Sequence, residues 1–441
     1  MRICILNEFF YPDLTGGTGT VLSELAEEIK LGYPHVDIDV ITSRNMYRDN
    51  GAKPAAFEDW NGIKITRLPS PNPAGKGIVA RLFANFVFST KAFFCIVWRK
   101  YDVLLVTTAP PTAPITALLL KWIKGLPYVY TVYDLEPDRA FVMQVTSRSN
   151  PVAKVLSALQ KQWLKHALKI VVLGRCMQEY VSKTYDLPLS KFEVIPIGAD
   201  EKRITMRGHD SAFRKAHNLH SFVVLYSGNF GRYHNFDTIL DAAKQLHAEG
   251  EPITFVLVGG GAQEAKIIRR IRDEKIGNVV VLPFVALDDY SDLLSSANVS
   301  LVTLEPGLEG VCVPSKFYSI LASGRPTIAM MSATSEVARV LSEADCGIQI
   351  DQGATWKLVE TLKCLYSEPE RLARMGENAR NVLLEKYTTA VSAEKYYEVF
   401  GSTLISETAL KPIAASQVSP VVADSVAVVD DGTLSEEQVA R

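Results

Sequence analysis

The chain has 441 residues, 47% of them hydrophobic, and a formal net charge of −2. This length favours two domains over a single hydrophobic core. The near-neutral charge excludes a basic field over the whole chain of the kind that attracts nucleic acid, so no nucleic-acid partner is expected. The six cysteines form no C-x-x-C pair and show no metal-ligand spacing. They argue against a disulfide framework or a metal site and favour a reducing, cytoplasmic setting.

The N-terminal residues 1–8 contain an apolar stretch that is far too short for a signal peptide and predicts a first buried strand. No run of about 18 uncharged apolar residues occurs in the chain. The nearest approach, 81–98, is broken by Asn85 and Lys91. The sequence therefore predicts no helix that crosses a membrane.

In the first half of the chain, short β-branched runs alternate with segments of helical periodicity. The predicted strands are 2–6, 38–42, 63–68, 103–107, 128–133 and 169–173. The predicted helices are 21–31, 78–98, 113–123, 151–167 and 176–184. Strands that are apolar on both faces and separated by helices indicate a parallel sheet covered on both sides.

The second half repeats this scheme. The predicted strands are 222–227, 254–258, 279–282, 299–303, 327–330 and 347–350. The predicted helices are 236–248, 263–274, 287–296, 315–321, 335–343, 355–366, 369–386 and 390–400. We therefore expect an α/β protein of two Rossmann-like, doubly wound parallel-sheet domains, 1–197 and 198–386, facing each other across a cleft. From 406 to 441 the helical period is lost, which predicts a disordered tail.

Ligands of such sheets bind at the carboxyl ends of the strands, so the strand-to-helix loops are the candidate sites. The first loop contains Gly16 and Gly17 before the first predicted helix. Glycine lets backbone amides approach a ligand, and a helix start favours an anion. A tight turn that only connects the two elements explains the loop equally well.

The first strand of the second half also ends in a glycine loop. Gly228 and Asn229 are followed by Arg232 and His234, which could reach a diphosphate, and arginine suits its bidentate geometry. A glycine turn with solvated polar residues is the alternative. Gly260, in the next loop, leaves room for a planar ligand or simply forms a turn.

The most informative segment is 309–326. Pro314 and Ser315 predict a helix start with Ser315 as the N-cap. Lys316, in the first turn, opposes the helix dipole unless an anion lies there. Together with Glu309, this lysine and helix start suit a sugar plus a diphosphate. The alternative is a surface helix with an incidental lysine.

Two further segments carry candidate chemistry. Asp134, Glu136 and Asp138 follow the fifth predicted strand, where carboxylates could hold an acceptor hydroxyl or a donor sugar, or could merely solvate a loop. The segment 78–100 is basic and rich in aromatic residues. This pattern fits two interpretations equally well. One is a peripheral contact with an anionic membrane surface, and the other is a core-facing helix whose lysine and arginine side chains extend to reach water.

In this order, the loops resemble those of the GT-B-fold, retaining glycosyltransferases of family 4. The resemblance is greatest to the enzymes of capsule, O-antigen and colanic-acid-type exopolysaccharide synthesis, and it covers residues 1 to about 400. The motifs that carry it are Tyr11-Pro12-Asp13 with Gly16-Gly17, Pro110-Pro111, Asp134-Leu135-Glu136-Pro137, Ile195-Pro196-Ile197-Gly198, Ser227-Gly228-Asn229-Phe230-Gly231, Val313-Pro314-Ser315-Lys316 and Ser335-Glu336-Val337-Ala338.

The resemblance implies that the second domain binds a UDP- or GDP-sugar donor and that the first binds the acceptor. It also implies that the helix 390–400 packs back on the first domain and that no metal or other cofactor is required. A hexose or N-acetylhexosamine would move, with retention, to a polyprenyl-diphosphate-linked glycan at the inner face of the cytoplasmic membrane. The candidate catalytic residues are Asp134, Glu309 and Lys316. The candidate donor-binding residues are Gly16, Gly17, Gly228, Asn229, Arg232, His234, Gly260, Val313, Pro314, Ser315, Lys316 and Ser319.

The chain departs from the family pattern at several positions. The two glutamates that flank the helix start in many members fall on Val311 and Ser319, with Glu309 two positions before Val311. The usual arginine and lysine fall on Asn229 and His234. These departures leave open a non-catalytic, nucleotide-binding partner subunit and, further off, a nucleotide-sugar epimerase of the same fold.

Overall fold

The computed structural model describes residues 1–13, 17–46, 53–72, 77–208, 211–232 and 234–409. The strands of the first domain are β1 (Arg2–Leu6), β2 (Asp37–Ser43), β3 (Phe57–Trp60), β4 (Ile63–Leu68), β5 (Val103–Thr107), β6 (Tyr128–Val132), β7 (Lys169–Val172) and β8 (Phe192–Val194). They form one sheet in the order β3-β4-β2-β1-β5-β6-β7-β8, in which only β3 and β4 pair antiparallel. Every residue of β5 and β6 is buried, as expected for a parallel sheet covered on both faces.

Two strands at the edges of this sheet, β3 and β8, were not predicted from the sequence. β3 joins β4 through Asn61 and Gly62, whose φ angles are 54° and 80°. Asn-Gly is a typical two-residue hairpin turn, so the signal for this hairpin was present in the sequence. β8 has three residues, too few for a periodic pattern to reveal it.

Helices cover both faces of the first sheet. They are α1 (Gly17–Gly32), α2 (Gly77–Val97), α3 (Ala113–Lys124), α4 (Asp138–Val142), α5 (Pro151–His166) and α6 (Arg175–Tyr185), followed by a 3-10 turn at Leu189–Lys191. On one face α3 contacts both α2 and α5. The side chains of β6 alternate between the two layers, with Tyr130 in the core beneath α2, α3 and α5 and Val129 in the core beneath α1.

Helix α2 is long and apolar enough, by length and composition, to cross a membrane between Val79 and Val97. The segment includes two charged residues, Arg81 and Lys91, and length and composition alone do not show that it crosses a membrane. Phe88, Ala92 and Ile96 recur every fourth residue and are buried in the core of the first domain. Only 33% of the segment is buried in this way. Helix α2 is thus a layer helix of the domain with a large exposed apolar side.

The second domain has the parallel strands β9 (Phe222–Asn229), β10 (Ile253–Gly260), β11 (Val279–Leu282), β12 (Val299–Thr303), β13 (Thr327–Met330) and β14 (Gly347–Ile350). Their order is β11-β10-β9-β12-β13-β14. The helices are α7 (Ala212–Ala216), α8 (Asp237–Ala248), α9 (Glu264–Asp273), α10 (Tyr290–Ser295), α11 (Lys316–Ala322), α12 (Glu336–Ala344), α13 (Thr355–Ser367) and α14 (Pro369–Val382), with a π-helical turn at Leu383–Tyr387. The predicted fold class, two Rossmann-like parallel-sheet domains across a cleft, is confirmed.

The last helix, α15 (Thr389–Ala409), returns to the first domain. Its residues Tyr396 and Phe400 share a buried cluster with Leu22 of α1, and the Tyr396 hydroxyl hydrogen-bonds Thr131 of β6 at 2.9 Å. The helix continues past residue 406, where the tail was predicted to begin. Residues 410–441 lie outside the described part of the chain.

The chain passes between the domains at two adjacent points. The Ala199 N–H donates to the Tyr387 carbonyl at 3.0 Å, and the Thr389 N–H donates to the Ala199 carbonyl at 3.2 Å. Gly198 has φ +77°, and a Cβ there would lie 3.0 Å from the Thr388 carbonyl oxygen. The two passages therefore pair like strands, with glycine required at the close approach.

One glycine at the carboxyl edge of the second sheet gives a test of this packing. A Cβ at Gly259 (φ +148°) would overlap the Gly228 carbonyl oxygen, whereas a Cβ at Gly250 (φ +73°) would meet open space. We expect Gly250→Ala to lose only the roughly 1–2 kcal/mol of a left-handed residue. Gly259→Ala should lower the melting temperature clearly further, because backbone must move. Equal melting temperatures for the two variants would contradict this packing.

Candidate active site

A cleft of about 690 Å³ lies between the domains. Loops at the carboxyl ends of both sheets line it, together with the beginnings of α1 and α11. Ten of the predicted site residues contribute to its walls. They are Gly17, Asp134, Gly228, Asn229, His234, Val313, Pro314, Ser315, Lys316 and Ser319.

Three predicted residues are not among those that line the cleft. Arg232 is exposed to solvent. Gly260 pairs with Asn229 in the sheet, and a Cβ on it would meet the Glu264 side chain of α9. The backbone carbonyl of Glu309 accepts a hydrogen bond from Cys176 Sγ at 2.8 Å. The roles of Arg232, Gly260 and Glu309 at the site therefore stay predictions, and Gly16 lies outside the described residues.

Lys316 is the dominant cation of the cleft wall. Its Nζ donates to the Tyr226 hydroxyl at 2.6 Å and lies 3.9 Å from the centroid of that ring. Burial lowers the pKa of Lys316 to about 7, and no carboxylate of the described residues offsets that effect. The ammonium group is thus partly desolvated, with a hydroxyl and an aromatic face as neighbours and no anionic partner in the part of the chain that the structure describes.

Gly228 makes room for this ammonium group. Its φ is +136°, and a Cβ there would lie 3.0 Å from Lys316 Nζ. Ser315 takes the N-cap position before Lys316, but its hydroxyl makes no capping hydrogen bond and its backbone is helical. Ser315 is therefore at the predicted N-cap position without a side-chain cap, and it lines the cleft.

His234 lies against the same wall as a neutral side chain. Its Nδ1 donates to the Thr303 carbonyl at 2.8 Å. Burial and the nearby Lys316 lower the pKa of His234 to about 4, so the ring carries no charge near pH 7. It can take part in hydrogen bonding, but it does not add the positive charge that the sequence analysis allowed for a diphosphate. The nearby positive charge on this wall is the ammonium group of Lys316.

The opposite wall carries carboxylates. Asp134 Oδ2 pairs with Arg139 Nη1 at 2.9 Å, and Glu136 pairs with the same guanidinium. Burial raises the pKa of Glu136. Asp138, which was expected beside them, is fully buried and accepts hydrogen bonds from the Tyr180 and Tyr185 hydroxyls. Asp138 therefore anchors α6 and is not a site residue.

The cleft contains a second ionic pair that was not predicted from the sequence. Glu24, from α1, pairs with Arg203 at 3.3 Å, and both line the cleft. Burial raises the pKa of Glu24 to about 7. Glu24 lies in an ordinary amphipathic helix and Arg203 in a polar connecting segment, so neither has a local sequence signal.

The domains touch directly along one side of the cleft. The Leu135 N–H donates to the Val311 carbonyl at 3.0 Å. Arg175 of α6 reaches across to Glu336 of α12, with Nε–Oε1 at 3.0 Å. Arg339 is bidentate with Glu179 at 2.8 and 3.0 Å. These contacts close the cleft on that side, and Glu336 belongs to the Ser335–Ala338 motif noted in the sequence.

Comparison with known proteins gives two family matches. Residues 16–198 match the "Glycosyl transferase 4-like domain", and residues 209–382 match "Glycosyl transferases group 1". Among curated proteins, the chain is 26% identical to the probable glycosyltransferase WbjE of Pseudomonas aeruginosa over 77% of this chain and 83% of that one. It is 24% identical to the putative colanic acid biosynthesis glycosyl transferase WcaI of Escherichia coli, over 90% and 96% of the two chains.

Solved structures agree in fold. The sucrose-phosphate synthase of Thermosynechococcus elongatus superposes with a TM-score of 0.74 at 17% identity, covering 92% of this chain and all of that one. HepE of Anabaena, in complex with UDP and glucose, gives a TM-score of 0.68 at 14% identity, covering 91% and 100%. Together with the family matches to both halves, these likenesses confirm what the ordered motifs predicted: the chain belongs to the GT-B glycosyltransferases.

Proposed function

We propose that this glycosyltransferase moves a hexose or N-acetylhexosamine, with retention of configuration, from a nucleotide diphosphate sugar to a polyprenyl-diphosphate-linked glycan in cell-surface polysaccharide synthesis. Lys316 carries the proposal, because it is a desolvated cation at the cleft wall with no carboxylate among the described residues to offset it. A diphosphate leaving group supplies the missing anion. The UDP bound to HepE, which has the same fold, supports a uridine donor.

The two walls divide the chemistry between them. Preorganised positive charge is most effective where negative charge develops, and here that is the departing diphosphate beside Lys316. Asp134, on the opposite wall, is placed to accept a hydrogen bond from an acceptor hydroxyl. In the net reaction the hydroxyl oxygen bonds to the anomeric carbon, the bond from that carbon to the diphosphate breaks, and the hydroxyl proton leaves with the diphosphate. The closed side of the cleft limits access of water to the donor.

A surface of the first domain supports a membrane-borne acceptor. Helices α2, α3 and α5 contain no aspartate or glutamate and carry seven lysines and arginines. We call their common outer surface the acid-free face. Its exposed large apolar residues are Val79, Leu82, Phe83, Phe86, Phe94, Leu119, Trp122, Ile123, Val152, Val155, Leu156 and Leu159.

Exposed apolar and basic side chains together favour the surface of an anionic bilayer. We therefore extend the contact expected for 78–100 to all three helices. The acid-free face would hold the enzyme as a peripheral protein on the inner, cytoplasmic side of the membrane, where a lipid-linked acceptor is found. The six free cysteines fit this reducing compartment.

The transfer activity is tested with radiolabelled UDP- and GDP-sugars and a membrane lipid extract. We expect label in the lipid fraction, and a loss of about 10²–10³ in kcat for Lys316→Gln, as is typical when one transition-state donor is removed. Lys357→Gln, at an exposed position of α13, is the matched control and should keep full activity.

The alternatives give different outcomes of the same assay. No transfer with any donor, from folded protein that still binds UDP, would favour the partner-subunit alternative, above all if transfer returns when a second protein is added. Isomerised donor sugar formed without acceptor, seen by NMR, would identify an epimerase. The anomeric configuration of the product, also from NMR, tests retention.

The pKa of Lys316 predicts a pH dependence of nucleotide binding. The free enzyme carries a charged Lys316 below about pH 7 and a neutral one above it. A bound diphosphate favours the charged form, so binding above pH 7 takes up a proton, and affinity for UDP should fall by up to about tenfold per pH unit. Calorimetry in buffers of different ionisation enthalpy measures this uptake.

The Lys316→Gln variant should lose the proton uptake and bind UDP roughly 10- to 100-fold more weakly at pH 6.5, as expected for a hydrogen bond to a charged group. Lys357→Gln should keep both. Because the terminal phosphate titrates near pH 6, a slope above pH 7 reports on the protein. UDP affinity that rises with pH above 7, or stays flat, would contradict the assignment.

Membrane docking is tested by sedimentation with lipid vesicles. Phe86→Glu places an acid on the acid-free face, where Phe86 is 63% exposed. It should weaken binding to phosphatidylglycerol vesicles by at least about fivefold, since one charge near an anionic surface is worth ~1 kcal/mol. Trp356→Glu, on α13 of the second domain and 62% exposed, should bind like the parent. Equal loss for both variants, or no vesicle binding by the parent, would rule out this face as the docking surface.

A further inference from the structure

The outer strand of the second sheet, β11, is an open edge. It pairs with β10 on one side, and no strand of the described residues pairs with its other side. The Asn278 carbonyl accepts a hydrogen bond from the Phe255 N–H of β10 at 2.8 Å. Because the backbone groups of successive residues point to opposite sides of a strand, Val279 and Val281 direct their N–H and C=O groups away from β10. The outer side of β11 therefore presents hydrogen-bonding groups to a further strand.

The composition of β11 does nothing to prevent such pairing. Charged side chains and short length are common protections of an edge strand. Among the other sheet edges of the described residues, β3 carries Glu58 and Asp59, and β8 has only three residues and carries Glu193. β14 contains Gln349, whose amide group hydrogen-bonds to Asp351. β11 contains only valine and leucine, and all four residues are half-buried.

An apolar groove of about 470 Å³ runs between β11 and α9. Val279, Val281 and Leu282 form one wall, and Ile268 and Ile271 form the other. Ile268 is 47% exposed. An added strand would hydrogen-bond along the open edge while apolar side chains filled the groove, as in other cases of strand addition. The edge and the groove therefore form one docking surface, which we call the β11 edge.

The groove has one acid and one base, at opposite ends. Glu264 and Arg272 both line it and are exposed. Since α9 connects the parallel strands β10 and β11, it runs opposite to them, with Glu264 at the carboxyl end of β11 and Arg272 at its amino end. Glu264, Ile268 and Arg272 are spaced four residues apart and form one stripe on the helix. Rotation by 180° brings the acid of this stripe to the base of a second copy.

We propose that the β11 edge is the interface of a homodimer, in which two β11 strands pair antiparallel about a two-fold axis at Val280. In this register Val279 and Val281 of one copy exchange hydrogen bonds with the same two residues of the other, because these residues carry the outward backbone groups. The two sheets become one continuous sheet. Ile268 packs against its own copy, and Glu264 meets Arg272 twice. A different partner would need the reverse stripe, whereas a second copy supplies it by symmetry.

Analytical ultracentrifugation of the full chain tests the dimer and its charge pairing. The parent should sediment as a dimer that dissociates on dilution. Arg272→Glu places like charges opposite each other at both ends of the interface and should weaken dimerisation at least about tenfold. The double variant Glu264→Arg, Arg272→Glu restores opposite charges and should recover most of it. Arg269→Glu, at an exposed position of α9 that does not line the groove, is the matched control and should dimerise like the parent.

Three results would overturn the proposal. One is a parent chain that stays monomeric up to millimolar concentration. Another is equal weakening by Arg272→Glu and Arg269→Glu, and the third is a double variant that dimerises no better than Arg272→Glu. All three substituted positions are exposed on α9, so the variants should fold, which circular dichroism checks.

Disulfide cross-linking tests the register. A residue on the two-fold axis faces its own copy, and in a non-hydrogen-bonded antiparallel pair the Cα atoms are about 4.5 Å apart, within the range of a disulfide. Under mild oxidation, Val280→Cys should therefore give a covalent dimer on a non-reducing gel. Val281→Cys is the matched control, because its copies lie on a diagonal of roughly 7–8 Å and should not cross-link.

The parent, with its own six cysteines, gives the background of the cross-linking experiment. Covalent dimer from Val280→Cys at the level of this background, or at the level of Val281→Cys, would overturn the proposed pairing of the β11 strands.

Discussion

The pairing of the two passages between the domains is the constraint on which the site depends. Ala199 is hydrogen-bonded on both sides, to Tyr387 and to Thr389, so the two passages act as one short double strand. This fixes the second sheet relative to the first while the contacts on the far side, between Arg175 and Glu336, draw the domains together. Apart from β3, the strands of both sheets run parallel. The carboxyl ends of the two sheets therefore meet, and the strand-to-helix loops of each domain face those of the other.

Within this frame, the distribution of charge assigns each wall its role. The acids of the first-domain wall each form an ion pair with a neighbouring arginine: Asp134 pairs with Arg139, and Glu24 pairs with Arg203. The cation of the second-domain wall is not paired in this way, since no carboxylate among the described residues pairs with Lys316. An anion gains most by binding where a desolvated charge is unbalanced. The asymmetry directs a diphosphate to the second domain and neutral, hydroxyl-bearing groups to the first.

The sequence was a good guide to the fold and to part of the site. Regular strands such as 299–303 and the glycine loops at Gly228 and Gly17 follow from periodicity and backbone freedom, which are local properties. The direction in which a side chain points relative to the cleft depends on the tertiary fold and cannot be read from the local sequence. Gly260 and Asn229 are hydrogen-bonded neighbours in the sheet, yet only Asn229 lines the cleft.

Long-range partners explain the other differences. Asp138 was expected to lie beside Asp134 in the site. Its carboxylate instead accepts hydrogen bonds from the hydroxyls of Tyr180 and Tyr185, which are more than 40 residues away in the sequence. The carbonyl of Glu309 is bound by Cys176 of the other domain, and the ionic pair of Glu24 and Arg203 joins segments 179 residues apart. Such pairings depend on how the two domains close, which no single segment encodes.

The return of α15 has a consequence for how the protein is made. The core beneath α1 is completed by Tyr396 and Phe400, which are the last part of that core to leave the ribosome. A nascent chain that has emerged only as far as β8 therefore exposes an uncovered apolar surface around Leu22 and Leu25. Chains usually fold their N-terminal domain first during synthesis. Here the core of the first domain is complete only after the second domain has been translated, so the two domains finish folding together. Until then, the uncovered apolar surface is where a chaperone would bind.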